Sequence, residues 1–189
     1  EDDVWYLATA YVRGGSLASK MAKERLSLRQ VDKMLREIVS ALDFAHRKGV
    51  AHKAIKLTNI LLDSEGHALL CDFGIFNIAG TGTFLLDTGE QAADPIRTQQ
   101  EDQLGDIYAL GLIVFEMLTG QPPYPARTPA EALLLYATAP IPSVTHYREG
   151  IPHELEAVMQ RVMAKNPAQR YQTATQFHED FSRAFHSDD

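Results

Sequence analysis

Apolar residues recur at a helical period in the clearest patterned stretch of the chain, residues 27–48. They are spaced three or four residues apart, with charged residues on the opposite face, at positions Leu28, Val31, Leu35, Ile38, Leu42 and Ala45. Gly49 follows as a C-terminal stop. The pattern predicts a long amphipathic helix whose apolar face belongs to a core.

Two short apolar runs come next, at residues 59–62 and 67–71, and the sequence Asp-Ser-Glu-Gly joins them. Turn residues between two apolar runs predict a β-hairpin. Polar side chains collect at its open end, where His52, Lys53, Lys56 and Asn59 precede the first strand and Asp72 follows the second. Pairing of the strands therefore brings Asn59 close to Asp72.

The rest of the chain alternates loops and helices. Residues 4–12 are rich in β-forming residues and predict a strand, after which Ser16 caps a short helix. Residues 75–103 show no periodicity and predict a long loop. The apolar stretch 107–118 contains Glu116 and is too short to span a membrane, so it predicts a buried helix.

Helix signals continue towards the C-terminus. A capping-box sequence with proline at the first helical position starts at Thr128, and a further helix ends at Met163. Thr173 caps the last helix, whose apolar face carries Phe177, Phe181 and Phe185.

Length, composition and charge limit the number of domains, the main partners and the compartment that we expect. A chain of 189 residues with 45% hydrophobic residues can bury one core, so one domain is expected. A net charge of −7 without a dense Lys/Arg cluster argues against nucleic acid or an anionic membrane as the main partner. The single cysteine, Cys71, excludes an internal disulfide, and no signal peptide is visible, so we expect a reducing, cytoplasmic compartment.

The hairpin end offers a metal site. An amide oxygen from Asn59 and a carboxylate from Asp72 are hard ligands of the type that Mg²⁺ accepts when phosphate oxygens and water complete its shell. Lys56, three residues before Asn59, is placed to face such a phosphate.

The motif His52-x-x-x-Lys56-x-x-Asn59, followed by Asp72-Phe-Gly, resembles the catalytic and metal-binding loops of protein kinases of the serine/threonine, bacterial type. The resemblance implies that Asn59 and Asp72 hold Mg²⁺ with ATP and that Lys56 stabilises the transferring phosphoryl group. It also implies an adenine floor at Leu61 and hinge contacts to adenine from the backbone of Ala10 and Val12.

The likeness extends along the whole chain. It implies an α+β, mainly α fold: a kinase-like C-terminal lobe with a small hairpin at the cleft. The resemblance assigns residues 1–13 to the last small-lobe strand and the hinge. It assigns residues 14–189 to the large lobe, with an activation segment at about 72–94. No Gly-rich loop or strand lysine precedes them, so we expect the small lobe to be missing. Asp106 matches an aspartate that accepts backbone hydrogen bonds from the catalytic loop.

Two departures from the family bear on activity. Ala54 stands where the family has the aspartate that accepts the proton of the substrate hydroxyl, and a methyl group cannot do so. The Ala-Pro-Glu triplet of the family falls on Ala92-Ala93-Asp94 and is not preserved. Asp94 is expected to pair with Arg170 as a structural contact.

Two functions remain open. The first is a pseudokinase that acts through protein partners, with weak binding of Mg²⁺ and ATP. The second is an ATP-dependent serine/threonine kinase, truncated and inactivated by an engineered Ala54, although Lys53 and the eroded activation segment favour natural decay. The strand at 4–12 needs a partner, which is either an upstream small lobe or a second copy in a homodimer. Otherwise it folds back and buries Trp5 over the cleft.

Overall fold

The computed structural model describes residues 8–73 and 98–186, which are mostly helical with one two-stranded sheet. The helices are α1 (Leu17–Met21), α2 (Leu28–Arg47), α3 (Gln99–Thr119), α4 (Pro129–Thr138), α5 (Glu154–Val162) and α6 (Ala174–Phe185). The strands are β1 (Ile60–Leu62) and β2 (Ala68–Leu70), and short 3-10 turns cover Leu57–Asn59, Val144–His146 and Pro167–Gln169. None of the described helices is long and apolar enough to cross a membrane.

Helix α2 confirms the long amphipathic helix that the spacing of apolar residues predicted over residues 27–48. A capping box fixes its start, in which the Ser27 hydroxyl accepts from the backbone of Gln30 and the Gln30 side chain accepts from the backbone of Ser27. Gly49 ends it in the left-handed conformation, with φ 79°. The predicted apolar face is buried, including Val31 and Leu35.

Helix α3 begins earlier than the sequence indicated. The loop predicted over residues 75–103 is wrong for residues 99–103, which form the first turn of α3. A capping box between Thr98 and Glu101 starts the helix, and the Gln103 side chain donates to the carbonyl of His46 at 3.0 Å. These polar contacts stabilise a first helical turn whose residues show no periodic spacing of apolar side chains.

The core lies between α2, α3, α5 and α6. Helix α3 is buried along most of its length, and α5 approaches it where Gly111 leaves room for Val162. Helix α6 packs against α2 and α5 through the predicted face, with Phe177 and Phe181 buried and Phe185 partly buried. The carboxylate of Asp43 on α2 accepts from the two backbone N–H groups that open α6 and from the hydroxyl of Thr175.

The hairpin forms as predicted, with Ile60 opposite Leu70 and Leu62 opposite Ala68. The segment before α1 lies along β1, because Gly14 donates to Leu62 at 3.0 Å and Leu62 donates to Gly15 at 2.8 Å. A Cβ at position 14 would lie 2.3 Å from the Leu62 carbonyl oxygen. This close approach requires glycine and ties the predicted hinge end to the hairpin.

The strand predicted over residues 4–12 is not formed in its described part, residues 8–12. A strand exists only as part of a hydrogen-bonded pair, and no other described segment pairs with these residues. Residues 1–7, with Trp5, lie outside the described residues. The predicted dimer edge and the alternative fold-back over the cleft therefore stay predictions.

Candidate functional site

The site is built on one buried carboxylate, that of Asp106 on α3, which is 2% exposed. It accepts from the backbone N–H groups of His52 and Lys53, both at 2.7 Å, and from His46 Nε2 at 2.8 Å. The expected backbone contacts from Asp106 to the catalytic loop are confirmed. They fix the path of the loop before any of its own side chains is considered.

His52 links this loop to the end of β2. Its ring is buried, its Nε2 lies 2.8 Å from the Cys71 carbonyl oxygen, and its Nδ1 lies 3.2 Å from the Ala54 nitrogen. Since a backbone N–H only donates and a carbonyl only accepts, Nδ1 accepts and Nε2 carries the proton. Burial lowers the pKa of His52, although the charge of Asp106 acts in the opposite direction. The imidazole is therefore neutral.

Lys53 adopts a backbone conformation that L-residues avoid, with φ 63°. For a residue other than glycine, asparagine or aspartate this costs about 1–2 kcal/mol. Two contacts hold it there: the backbone bond to Asp106 and an ion pair from Nζ to Asp102 at 2.6 Å. Both acids lie on α3, one helical turn apart.

Ala54 occupies the position of the expected catalytic base and is buried, at 6% exposure. Its backbone is fully engaged, because its N–H donates to His52 and its carbonyl accepts from Asn59 Nδ2 at 2.9 Å. The second contact orients the Asn59 amide, so its oxygen is the atom left to face a ligand. The loop is thus ordered around a methyl group.

Asp72 comes directly after the residue that pairs with Asn59, since the Cys71 N–H donates to the Asn59 carbonyl at 2.9 Å. The hairpin therefore brings the two predicted metal ligands to one end. Asp72 has φ 68°, which aspartate tolerates, and the next residue, Phe73, packs its ring 4.4 Å from that of His52. Burial, with the nearby charge of Asp72, raises the pKa of the Cys71 thiol to about 11, so the thiol is protonated at neutral pH.

The donor set fits a hard cation with few protein ligands. Across the described residues, no three His, Cys, Asp or Glu side chains converge as a metal cluster. An amide oxygen and a carboxylate suit Mg²⁺ that takes the rest of its shell from phosphate and water. The assignment of Asn59 and Asp72 as metal ligands remains a prediction.

A cavity of about 260 Å³ lies beside the loop, between α1, residues 55–58, α3 and α4. Its wall is mainly apolar, and two charged side chains border it, Lys56 and Glu116. Burial raises the pKa of Glu116, and no other described side chain donates a hydrogen bond to its carboxylate. Lys56 is half-buried and lines this cavity, so the predicted phosphate-facing lysine lies beside it.

The remaining predicted residues are placed less tightly. Leu61 in β1 is half-buried and points away from the buried Ile60 and Leu62. Ala10 is exposed and Val12 is half-buried, and neither lies in a strand. The activation segment beyond Phe73 lies outside the described residues, so its Asp94 contact to Arg170 stays a prediction. Arg170 itself donates to the carbonyls of Ala164, Lys165 and Leu104.

Sequence reasoning missed three residues of this region. His46 and Asp102 reach the loop and its anchor from two different helices, and Glu116 borders the cavity beside the loop. The spacing of Asp102 and Asp106, four residues apart on one helix, was the available signal for a shared face. His46 carried no local signal.

The mostly helical core with a small two-stranded sheet is compatible with a kinase-like fold. The sequence profile of the protein kinase domain matches residues 1–182, and the chain belongs to this family, in its bacterial serine/threonine type.

Individual bacterial serine/threonine-protein kinases also match the chain. The chain is similar to the serine/threonine-protein kinase PrkC of Bacillus subtilis, at 31% identity over all of this chain. It is 29% identical to PknB of Mycobacterium tuberculosis over 94% of its length and 36% identical to PknH of Mycobacterium bovis over 75%. The chain spans 30% of the length of PrkC and of PknB, and 25% of that of PknH.

We expect acid to destabilise the fold through His52. Because the folded state lowers its pKa, the unfolded state binds the proton more readily below the ordinary value of 6.5. The contribution of His52 to stability is complete above that pH and is lost as pH falls towards the lower folded value, by at most about 1.4 kcal/mol per pH unit. Urea unfolding between about pH 7.5 and pH 5 measures it.

His52→Gln should flatten this pH dependence even if it lowers stability overall. The matched control is His146→Gln, since His146 is exposed and lies far from the loop in sequence. Equal slopes for the parent chain and His52→Gln would contradict the assignment.

Proposed function

We propose that this chain is the large-lobe part of a kinase-like domain that is catalytically impaired and acts by binding, as a pseudokinase. The observation that carries the proposal is Ala54: its backbone is bonded on both sides within an ordered loop, and its side chain is a methyl group. The scaffold that would present a base is in place, and the base is missing.

The expected loss of rate supports the proposed impairment of catalysis. Loss of a general base costs about 10² to 10⁴ in rate, or roughly 3 to 5 kcal/mol of transition-state stabilisation. Within the described site, no other carboxylate stands at that position: Asp106 and Asp102 are engaged by the loop itself. Asp72 would bind the cation and so would not act as the base. A hydroxyl bound at the site would have to release its proton to water.

The site would still bind a nucleotide through a small number of contacts. Asn59 and Asp72 would hold Mg²⁺, which supplies charge neutralisation to the phosphates when bound. Lys56 would place a positive charge near the phosphate, Leu61 would support the base, and the backbone at Ala10 and Val12 would meet its edge. With so few contacts we expect affinity to be weak.

The alternative is an ATP-dependent serine/threonine kinase that an engineered Ala54 has inactivated. The retention of Lys56, Asn59 and Asp72 favours it, because the resemblance gives these residues their roles in phosphoryl transfer and metal binding.

For the activity, we expect no transfer of phosphate from ATP to generic serine/threonine peptides above that of Asp72→Ala. The reason is the missing proton acceptor. Initial rates with radiolabelled ATP and Mg²⁺ measure it, and Ala54→Asp is assayed in parallel. Turnover in the parent chain that disappears in Asp72→Ala would overturn the proposed impairment, and strong gain in Ala54→Asp would favour the alternative.

For the nucleotide, we expect weak binding of ATP that strengthens when Mg²⁺ is added. Asp72→Ala should remove this strengthening, because the carboxylate is the charged ligand of the cation. Isothermal titration with and without EDTA measures it. The matched control is Asp180→Asn, an acid on α6 paired with arginines remote from the site. Equal affinity in Mg²⁺ and in EDTA would argue against a metal site.

The partner is proposed to be a protein segment that places a basic side chain in the cavity beside the loop. The cavity of about 260 Å³ has room for a long side chain, its wall suits an aliphatic stem, and no described side chain forms an ion pair with Glu116. Pairing with a guanidinium would remove the penalty of leaving that carboxylate half-buried alone.

We therefore expect Glu116→Gln to weaken binding of an arginine-containing nonapeptide by about tenfold, as for loss of a charge-assisted hydrogen bond. The same change should leave thermal stability equal or raised at neutral pH, because the raised pKa shows that the folded state disfavours the charged form. Fluorescence anisotropy is compared with the alanine-substituted peptide and with the exposed Glu149→Gln as control. Unchanged affinity in Glu116→Gln would exclude this contact.

A further inference from the structure

Among the described contacts of residues 52–59, those of Lys53 tie both its backbone and its side chain to helix α3. Its N–H donates to Asp106 at 2.7 Å, and its ammonium group lies 2.6 Å from Asp102. The side chain of Asp102 is 12% exposed and that of Lys53 is 32% exposed, so the pair is partly shielded from water. This distinguishes it from an ordinary surface ion pair, which contributes little.

The conformation of Lys53 sets the position of the next residue. With φ 63°, the chain turns at Lys53 and directs the Ala54 carbonyl to Asn59 Nδ2, at 2.9 Å. Since one side of the Asn59 amide is fixed in this way, its oxygen is presented on the other side. An extended conformation at Lys53 would move that carbonyl and release the amide.

We propose that Asp102 is a positioning residue for the metal site of Asn59 and Asp72. By holding the Lys53 side chain, Asp102 keeps the loop in its left-handed turn and thereby keeps the Asn59 oxygen aimed at the cation. The inference rests on the proposed nucleotide and metal binding. It adds a residue that touches neither ligand and that lies on a different element from both.

Asp102 is separable from the anchor provided by Asp106. The three hydrogen bonds of Asp106 involve backbone and His46, and none of them uses the Lys53 side chain. Removal of the Asp102 charge therefore leaves the loop attached to α3 but relaxes the strained residue. A structural role alone would lower stability without changing the dependence of binding on Mg²⁺.

The test compares Asp102→Asn, Asp102→Glu and the control Asp180→Asn in the 189-residue chain. The quantity is the ratio of ATP dissociation constants measured in EDTA and in Mg²⁺. We expect Asp102→Asn to reduce this ratio at least fivefold, Asp102→Glu to restore part of it, and Asp180→Asn to leave it unchanged. A ratio in Asp102→Asn equal to that of the control, at equal thermal stability, would overturn the inference.

A second readout separates this inference from the proposed binding. If the parent chain shows no Mg²⁺-dependent binding, the proposed metal site fails, and amide hydrogen exchange of the ligand-free chain decides the role of Asp102. We expect the N–H groups of Lys53 and Ala54 to exchange at least fivefold faster in Asp102→Asn than in Asp180→Asn, with α2 unchanged. Equal exchange in the two variants would show that Asp102 does not position the loop.

Discussion

The buried carboxylate of Asp106 is the contact on which the rest of the site depends. It gathers the backbone of His52 and Lys53 and the ring of His46 within 2.8 Å, and it sits on the most buried helix of the described chain. Hydrogen bonds to a charged group contribute about 1.5–3 kcal/mol each, and a buried donor left without a partner costs a similar amount. Through Asp106, the packing of the core sets the geometry of a loop that has no regular structure of its own.

The same arrangement keeps the loop ordered without help from the side chain at position 54. Asn59 is oriented by the carbonyl of Ala54, and His52 accepts from the N–H of the same residue. Neither contact involves the side chain at position 54. The proposed loss of the base is therefore compatible with an ordered loop, because a carboxylate and a methyl group at position 54 leave these backbone hydrogen bonds equally available.

Much of the fold could be predicted because its signals are local. The period of α2, its capping box and the turn between β1 and β2 each lie within a few residues of the structure they specify. Prediction was wrong where the decisive partner is distant or missing. The first turn of α3 has no apolar period, and residues 8–12 have β-forming residues but no neighbouring strand within the described chain.

The family and the hairpin that brings Asn59 and Asp72 to one end could be read from the sequence alone, as could an alanine, Ala54, where the family carries an aspartate. This was possible because motif spacing and turn chemistry are properties of short segments. The three-dimensional structure was needed to show that His46 and Asp102 contact the loop and its anchor, and that Glu116 borders a cavity. These contacts join residues far apart in the chain, up to 60 positions for His46 and Asp106, and no local pattern encodes which distant side chains will meet.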